Sequence, residues 1–341
     1  MIPYAISDLD KKILFELDRD PLQSLESLSE RIGYPSEVVN GEVKRLFDIG
    51  VIKNIIPIID IDKLGFMVLL VNIALRATDA STYQNIIDYL VDNPNTAWVA
   101  GCSGRWSIII AIFAKSPDQF SRIMMQINNA CGDKLESYDT HIVTEKYILG
   151  QRYLLIKDKR TDFMFDRSRI SLDGNKVIDL SRSDYLILSK IKESRESSIS
   201  YISKQLNMTT NEVTESLGKL QKYDVLKKFQ PVYDVSVLGL EWYEVFIRFR
   251  NLTEQKRREF INYIHSIPQI IHINCTIGAW DIDFDIHAQN EKEFEDLRLE
   301  INNKFEEIIW KEEYIHFSKE YKLNFLADVV LKEGWVTNHD S

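Results

Sequence analysis

Apolar residues recur at helical spacing through the first fifty positions. Ile13, Leu14 and Leu17 form one set, Leu25, Leu28 and Ile32 a second, and Val39, Val43 and Leu46 a third. Residues three and four apart share one face of a helix, so each set predicts one buried stripe. Ser7 suits the N-cap of the first helix, with Asp10 in its first turn, and Ser36 suits the cap of the third. Gly33 and Gly50 suit the stops. The β-branched run Val51-Ile-Lys-Asn-Ile-Ile-Pro-Ile-Ile59 then predicts a β hairpin or wing. Helices joined by a tight Gly-containing turn and followed by a wing make a winged helix-turn-helix.

The pattern changes after position 60. Residues 66–76 predict a strand, and 81–91 an amphipathic helix carrying Ile86, Ile87 and Leu90, broken at Asn93-Pro94. Strands are predicted over 96–102 and 106–114, a Ser116-capped helix over 116–129, and a last strand over 137–149. The order β-α-β-β-α-β is the ferredoxin-like arrangement.

Both patterns return. Asp10 matches Asp184, Pro57 matches Pro231, Gly65 matches Gly239, Gly104 matches Gly278, Trp106 matches Trp280 and Tyr147 matches Tyr321, each 174 residues apart. A constant offset over so long a span is a duplication of a large unit, not a solenoid. The fold class is therefore α+β, two tandem copies of a winged helix-turn-helix plus a ferredoxin-like domain. The expected boundaries are 1–60 and 181–234 for the heads, and 61–150 and 235–331 for the ferredoxin-like domains. A charged linker over 151–180 carries a Gly174-Asn175 turn signal, and a tail covers 332–341.

Composition narrows the function classes. A net charge of −10 argues against a chain coated in nucleic acid but allows one local basic face. The apolar runs are too short to span a bilayer. The first ten residues carry neither a basic nor an apolar leader segment, and Cys102, Cys131 and Cys275 offer no disulfide framework, so a reducing cytosol is expected. No metal-ligand spacing, phosphate loop or nucleophile elbow occurs. His265, His272 and His287 read as hydrogen-bonded structural residues. No enzyme activity and no cofactor are expected.

Several short motifs carry a resemblance. Asp8-Leu-Asp-Lys-Lys-Ile-Leu14 opens the first helix, and Leu46-x-x-x-Gly50-Val-Ile52 leaves the third. Asp62-Lys-Leu-Gly65 and Ser236-Val-Leu-Gly239 enter the second domains, and Gly104-Arg-Trp-Ser107 and Gly278-Ala-Trp-Asp281 form matching turns. In this order the chain resembles the Lrp/AsnC (feast/famine) transcriptional regulators, and its tandem form is similar to double-headed archaeal members. The resemblance implies contact with double-stranded DNA through the third helix of each head, and sensing of an amino-acid-like effector at the second domains. It implies an intrachain pseudo-dimer or a homo-oligomer.

The third helix of such a head lies in the major groove, so its outward residues are the DNA-contact candidates. They are Ser36, Asn40, Lys44 and Arg45, with Lys53 in the wing, and Thr210, Asn211, Thr214, Lys219 and Lys222, with Lys227 and Lys228 in the second wing. Gly41, Glu42, Glu215 and Ser216 stand where the family tends to place basic residues. Residues 181–234 hold nine Lys+Arg against seven Asp+Glu, whereas residues 6–59 hold seven against ten, which favours the second head. The effector candidates are Gly104, Trp106, Gly278, Trp280 and Asp281. Asp281 is expected to accept from an ammonium group that Ser107 could not pair. Two other readings stay open: a sirohaem-decarboxylase-like enzyme on the same architecture, and a protein-binding scaffold with degenerate heads.

Overall fold

The computed structural model describes residues 6–154, 169–171, 177–193 and 199–336. The Gly174-Asn175 turn signal lies outside the described residues. In chain order the first copy comprises α1 (Asp8–Arg19), α2 (Leu25–Ile32), α3 (Ser36–Asp48), β1 (Ile52–Ile59), β2 (Met67–Leu75), α4 (Ala80–Asp92), β3 (Thr96–Ser103), β4 (Ile108–Ala114), α5 (Pro117–Cys131) and β5 (Leu135–Ile148). A short strand, β6 (Arg169–Ser171), lies in the expected linker. The second copy comprises α6 (Arg182–Glu193), α7 (Ile199–Leu206), α8 (Thr210–Lys222), β7 (Leu226–Tyr233), β8 (Glu241–Phe249), α9 (Glu254–Ser266), β9 (Ile270–Gly278), β10 (Ile282–Ala288), α10 (Glu291–Phe305) and β11 (Ile309–Leu323), followed by α11 (Asp328–Val336).

The compact units do not follow the copies. One unit takes Met1–Ile55, Glu145–Ile170 and Phe229–Phe317, and the other takes Ile56–Thr144, Ser171–Lys228 and Ser318–Ser341. The first head therefore shares a unit with the second ferredoxin-like domain, and the second head with the first.

In the unit that holds the first head, Ile13, Leu14, Leu17, Leu28, Ile32, Val39 and Leu46 form the head's core. Leu154, Tyr233 and Leu238 close it, and the Tyr233 hydroxyl donates to the Leu14 carbonyl at 2.8 Å. The ferredoxin-like sheet of this unit runs β9-β10-β8-β11, with β5 added on the outer edge of β9. Just past β5, the Leu149 N–H donates to the Ile271 carbonyl at 2.7 Å. One face of this sheet packs on α9 and α10 through Tyr243, Val245, Ile247, Ile273, Phe284 and Ile286.

The other unit repeats the plan. Its sheet runs β3-β4-β2-β5, with β2 pairing with residues 135–142 of β5, and β11 adds to the outer edge of β3. The Asn324 N–H donates to the Ala97 carbonyl at 2.8 Å. Leu69, Val71, Ile73, Val99, Ile108, Ile110 and Ile112 pack beneath α4 and α5. The second head joins α11 here, where Lys192 pairs with Asp328.

Two local expectations are corrected. The wing is no hairpin: β1 is a single strand, and its hydrogen-bonded neighbour is β7, the equivalent strand of the other copy. Asp234 N–H to Val51 O, at 2.9 Å, anchors one end of the pair, and Asp60 N–H to Val225 O, at 2.9 Å, anchors the other. Ser36 does not cap α3, because Pro35 holds the N-cap position and makes no side-chain cap. The Ser7 cap is as expected, and Ser7 and Asp10 bond reciprocally as a capping box.

Candidate DNA-binding heads and a buried polar sheet face

Each head pins its third helix with a buried aspartate. In the first, Asp10 is fully buried and Arg45 Nη2 reaches its Oδ1 at 2.7 Å, while Glu42 takes a second bond from the same guanidinium. In the second, Lys219 Nζ reaches Asp184 Oδ2 at 2.6 Å, and Ser216 also donates to Asp184. Burial raises the Asp184 carboxyl, but the bonds from Lys219, Ser216 and Ser181 outweigh it and hold the group below its ordinary value. Arg45 and Lys219, each half-buried, thus tie their helices to a buried carboxylate. Ser216, a poor match to a basic DNA contact, is the third member of this internal arrangement.

The other candidates divide by exposure. Asn40 and Lys44 are exposed on α3, with Ser36 half-buried at its start. Thr210, Asn211, Thr214 and Lys222 are exposed on α8. The Thr214 hydroxyl turns back to the Thr210 carbonyl at 2.7 Å, and Lys222 lies over the Tyr223 ring. In the wing strands, Lys53 pairs with Asp234 at 3.0 Å. Lys227 lies 3.7 Å from Asp60 and 3.6 Å from Asp224. Lys228 is half-buried.

The two Gly-x-Trp turns are the same construction. Gly104 and Gly278 have φ of 123° and 139°, a region that favours glycine. Trp106 and Trp280 are each 1% exposed, so the rings are core residues and do not line an open site. Arg105 covers Trp106 and Lys311 covers Trp280. Ser107 and Asp281 do the same work. The Leu75 N–H donates to Ser107 Oγ at 3.1 Å, and the Phe249 N–H donates to Asp281 Oδ2 at 2.7 Å. Arg248 lies 3.4 Å from the other Asp281 oxygen. The Asp281 carboxylate is therefore engaged by its own sheet.

A second polar group was not anticipated from the sequence. The face of the β8–β10–β9 sheet away from α9 and α10 carries Glu244, Asp283, Asp285, Asn274 and His272. In register, Asp285 stands directly opposite Glu244 on β8 and His272 on β9, and Asp283 opposite Asn274. Glu244, Asp283, Asp285 and Asn274 are all buried. Asn274 Nδ2 donates to Asp283 Oδ1 at 2.5 Å, and His272 Nδ1 lies 3.2 Å from Asp285. Burial, together with the charges of Asp283 and Asp285, holds the Glu244 carboxyl well above its usual range. Lys146 of β5 faces the three acids, although burial lowers its own pKa.

Beside this face, residues of the expected linker are built into the same unit. Arg152 is buried and donates to the carbonyls of His265, Ile267 and Ile270 at 2.7, 2.9 and 3.2 Å. His287 Nδ1 lies 2.9 Å from the Tyr153 hydroxyl and 3.1 Å from Gln151 Oε1. Burial lowers the His287 pKa to about 3, so the ring is neutral and acts as a hydrogen-bonded structural residue. Among the described residues no group of His, Cys, Asp and Glu could hold a metal ion, and no helix is long and apolar enough to cross a membrane.

Comparison with known proteins agrees with this architecture. Residues 6–53 match the family described as winged helix-turn-helix DNA-binding. The HTH-type transcriptional regulator FL11 of Pyrococcus furiosus is 25% identical over 138 residues, covering 40% of this chain and 89% of the relative. The HTH-type transcriptional regulator AldR of Mycolicibacterium smegmatis is 23% identical over 129 residues, covering 38% of this chain and 75% of the relative. Each alignment is shorter than one 174-residue copy. The solved structure of the siroheme decarboxylase NirDL shares the fold over 97% of this chain and 99% of its own, with a TM-score of 0.59 and 14% identity. At that identity the likeness is one of fold. The matched winged helix-turn-helix head and the regulator-named relatives make this chain similar to HTH-type transcriptional regulators, and its two-copy α+β fold is shared with that of NirDL.

Proposed function

We propose that the protein is a DNA-binding transcriptional regulator in which the second head makes the principal DNA contact. The observation that supports this is the pinned third helix of that head. The ion pair between buried Asp184 and half-buried Lys219 fixes α8, and Thr210, Asn211, Thr214 and Lys222 are exposed along it. Neutral polar side chains on such a helix suit base edges, while lysines suit phosphates. On α3 the exposed set is Glu37, Val38, Asn40, Gly41, Lys44 and Asp48, with Glu42 engaged by Arg45, so its contribution to phosphate binding is small. A small-molecule effector at the ferredoxin-like domains, and a pseudo-dimer formed within the chain, belong to the same reading.

The test is selection of genomic duplex fragments by the intact protein, followed by fluorescence-anisotropy titration at several salt concentrations. Affinity for selected fragments at least about a thousandfold above bulk DNA supports the reading. Equal affinity for all sequences, or none, overturns it.

The NirDL likeness favours a second reading, a tetrapyrrole decarboxylase, because the fold is shared over almost the whole chain. The buried acids Glu244, Asp283 and Asp285 weigh against it on the second ferredoxin-like domain, since a carboxylate-bearing substrate would meet like charge there. Incubation with sirohaem under reducing conditions, followed by mass spectrometry of the pigment, decides it through loss of carbon dioxide or its absence.

A further inference from the structure

The acids on the back of the second ferredoxin-like sheet are not required by the fold. The first copy builds the equivalent sheet with Leu70 where the second has Glu244, Ile109 where it has Asp283, Ala111 where it has Asp285, and Ala100 where it has Asn274. Like charges directly opposite across strands destabilise a sheet, and Glu244 stands directly opposite Asp285. Burying them is a further penalty. The groups facing this patch are Glu244 on β8, Asp283 and Asp285 on β10, His272 and Asn274 on β9, Lys146 on β5 and Glu313 on β11. Glu313 is paired with Lys311 at 2.7 Å. Three carboxylates thus face one lysine and one histidine.

A second observation concerns two acceptors of the cluster. Asn274 is 8% exposed; its amide nitrogen is bonded to Asp283, yet its Oδ1 has no hydrogen-bond partner among the described residues. Glu244 is 2% exposed and its Oε2 is likewise unpartnered. Both atoms are acceptors. Buried acceptors are normally satisfied, so this face calls for a group that brings several N–H donors and positive charge.

We propose that the face formed by Glu244, Asp283, Asp285 and Asn274 binds a small aliphatic amine carrying two or more ammonium groups. Two such charges balance the excess of carboxylates over Lys146, and the ammonium hydrogens meet Asn274 Oδ1 and Glu244 Oε2. This site is separate from the Gly-x-Trp turns, and it stands whether or not the heads bind DNA. A bound cation would favour the ionised form of Glu244, whose carboxyl burial and the neighbouring acids push upward.

The experiment is calorimetric titration of the intact chain with putrescine and with spermidine at matched ionic strength, beside magnesium chloride as a control. The expected result is saturable amine binding with a dissociation constant below about 1 mM. Asp283→Asn weakens it at least about tenfold. The double variant Glu244→Leu/Asp285→Ala, which installs the first copy's residues, abolishes binding and raises the thermal midpoint. Absence of saturable heat overturns the proposal. So does equal affinity in the variants, which marks non-specific attraction of polycations to a chain of net charge −10. A response to magnesium alone also overturns it. Should the double variant fail to fold, Asp283→Asn and the conservative Glu244→Gln still decide, since amine affinity equal to wild type in both overturns the proposal.

Discussion

Lys219 Nζ lies 2.6 Å from Asp184 Oδ2, and the equivalent Arg45 Nη2 lies 2.7 Å from Asp10 Oδ1. The same ion pair is built twice, 174 residues apart, and in both heads it joins the first helix to the third. A basic residue on the outward edge of a recognition helix is easily taken for a phosphate contact. Here its partner is a buried carboxylate one helix away, and its first role is to hold the helix in place.

Lys219→Ala is therefore expected to reduce stability by about 1.5–3 kcal/mol, the range for hydrogen bonds to charged groups, because it leaves Asp184 buried without its cation. Lys222→Ala is expected to change stability by less than about 0.5 kcal/mol, as exposed substitutions do. Urea denaturation of the two variants checks this. Equal effects would mean that Lys219 does not support the head.

For DNA, Lys222→Ala/Lys228→Ala is expected to lower the salt slope of binding by up to about 2 units, at roughly 0.9 per phosphate contact. Lys227→Ala is expected to leave the slope unchanged, since Lys227 is placed beside Asp60 and Asp224. Anisotropy titrations across a salt series give the slopes directly. A fall on replacing Lys227 alone would assign that lysine to the DNA.

Asp60 predicts a pH dependence of opposite sign to the usual carboxylate. It is 1% exposed, and desolvation raises its pKa to about 6 despite the nearby Lys227 and Lys63. An unfolded aspartate titrates near about 3.9. The folded state therefore binds the proton more tightly, and this contribution to stability is full below about pH 4 and lost as pH rises to about 6. Relative to wild type, Asp60→Asn is expected to gain stability between pH 4 and 6 and to hold that gain above. Denaturation midpoints at four pH values, compared as wild-type-minus-variant differences, test it. A flat difference would show that Asp60 is ionised in the folded protein throughout.

The interleaved units predict how the chain can be divided. Residues 1–171 contain the first head but not the Phe229–Phe317 segment that shares its unit, and residues 172–341 lack Ile56–Thr144. Each fragment alone is expected to expose a large apolar surface and to aggregate or remain unfolded. Co-expressed, the two are expected to co-purify with the circular-dichroism spectrum of the intact protein. Two independently folding, monomeric fragments would contradict this.

Much of the architecture was already present in local pattern. Helical spacing and the Ser7 cap are short-range properties, the 174-residue offset is visible by comparing the sequence with itself, and the helices and strands they implied match those observed to within a few residues. Leu46 and Leu220, at equivalent inner positions of α3 and α8, are fully buried, as their spacing required. The resemblance carried by the short motifs likewise agrees with the matched family and relatives.

What the pattern could not supply was partnership. A strand rich in apolar residues states that it needs a neighbour, not which one, and so residues 51–59 read as a β hairpin or wing when they form one strand whose neighbour is β7. The same limit hid the sites. In Asp281-Ile-Asp-Phe-Asp-Ile-His287 the alternation of acid and apolar residues looks like a strand with one face in water. Burial of Asp283 and Asp285, the commitment of Asp281 to the Phe249 N–H, and the capture of Arg45 and Lys219 by aspartates all depend on segments distant in the chain. Secondary structure follows from neighbours within a few residues. The charge state and availability of a side chain follow from whatever tertiary packing brings against it, and only the folded chain decides that.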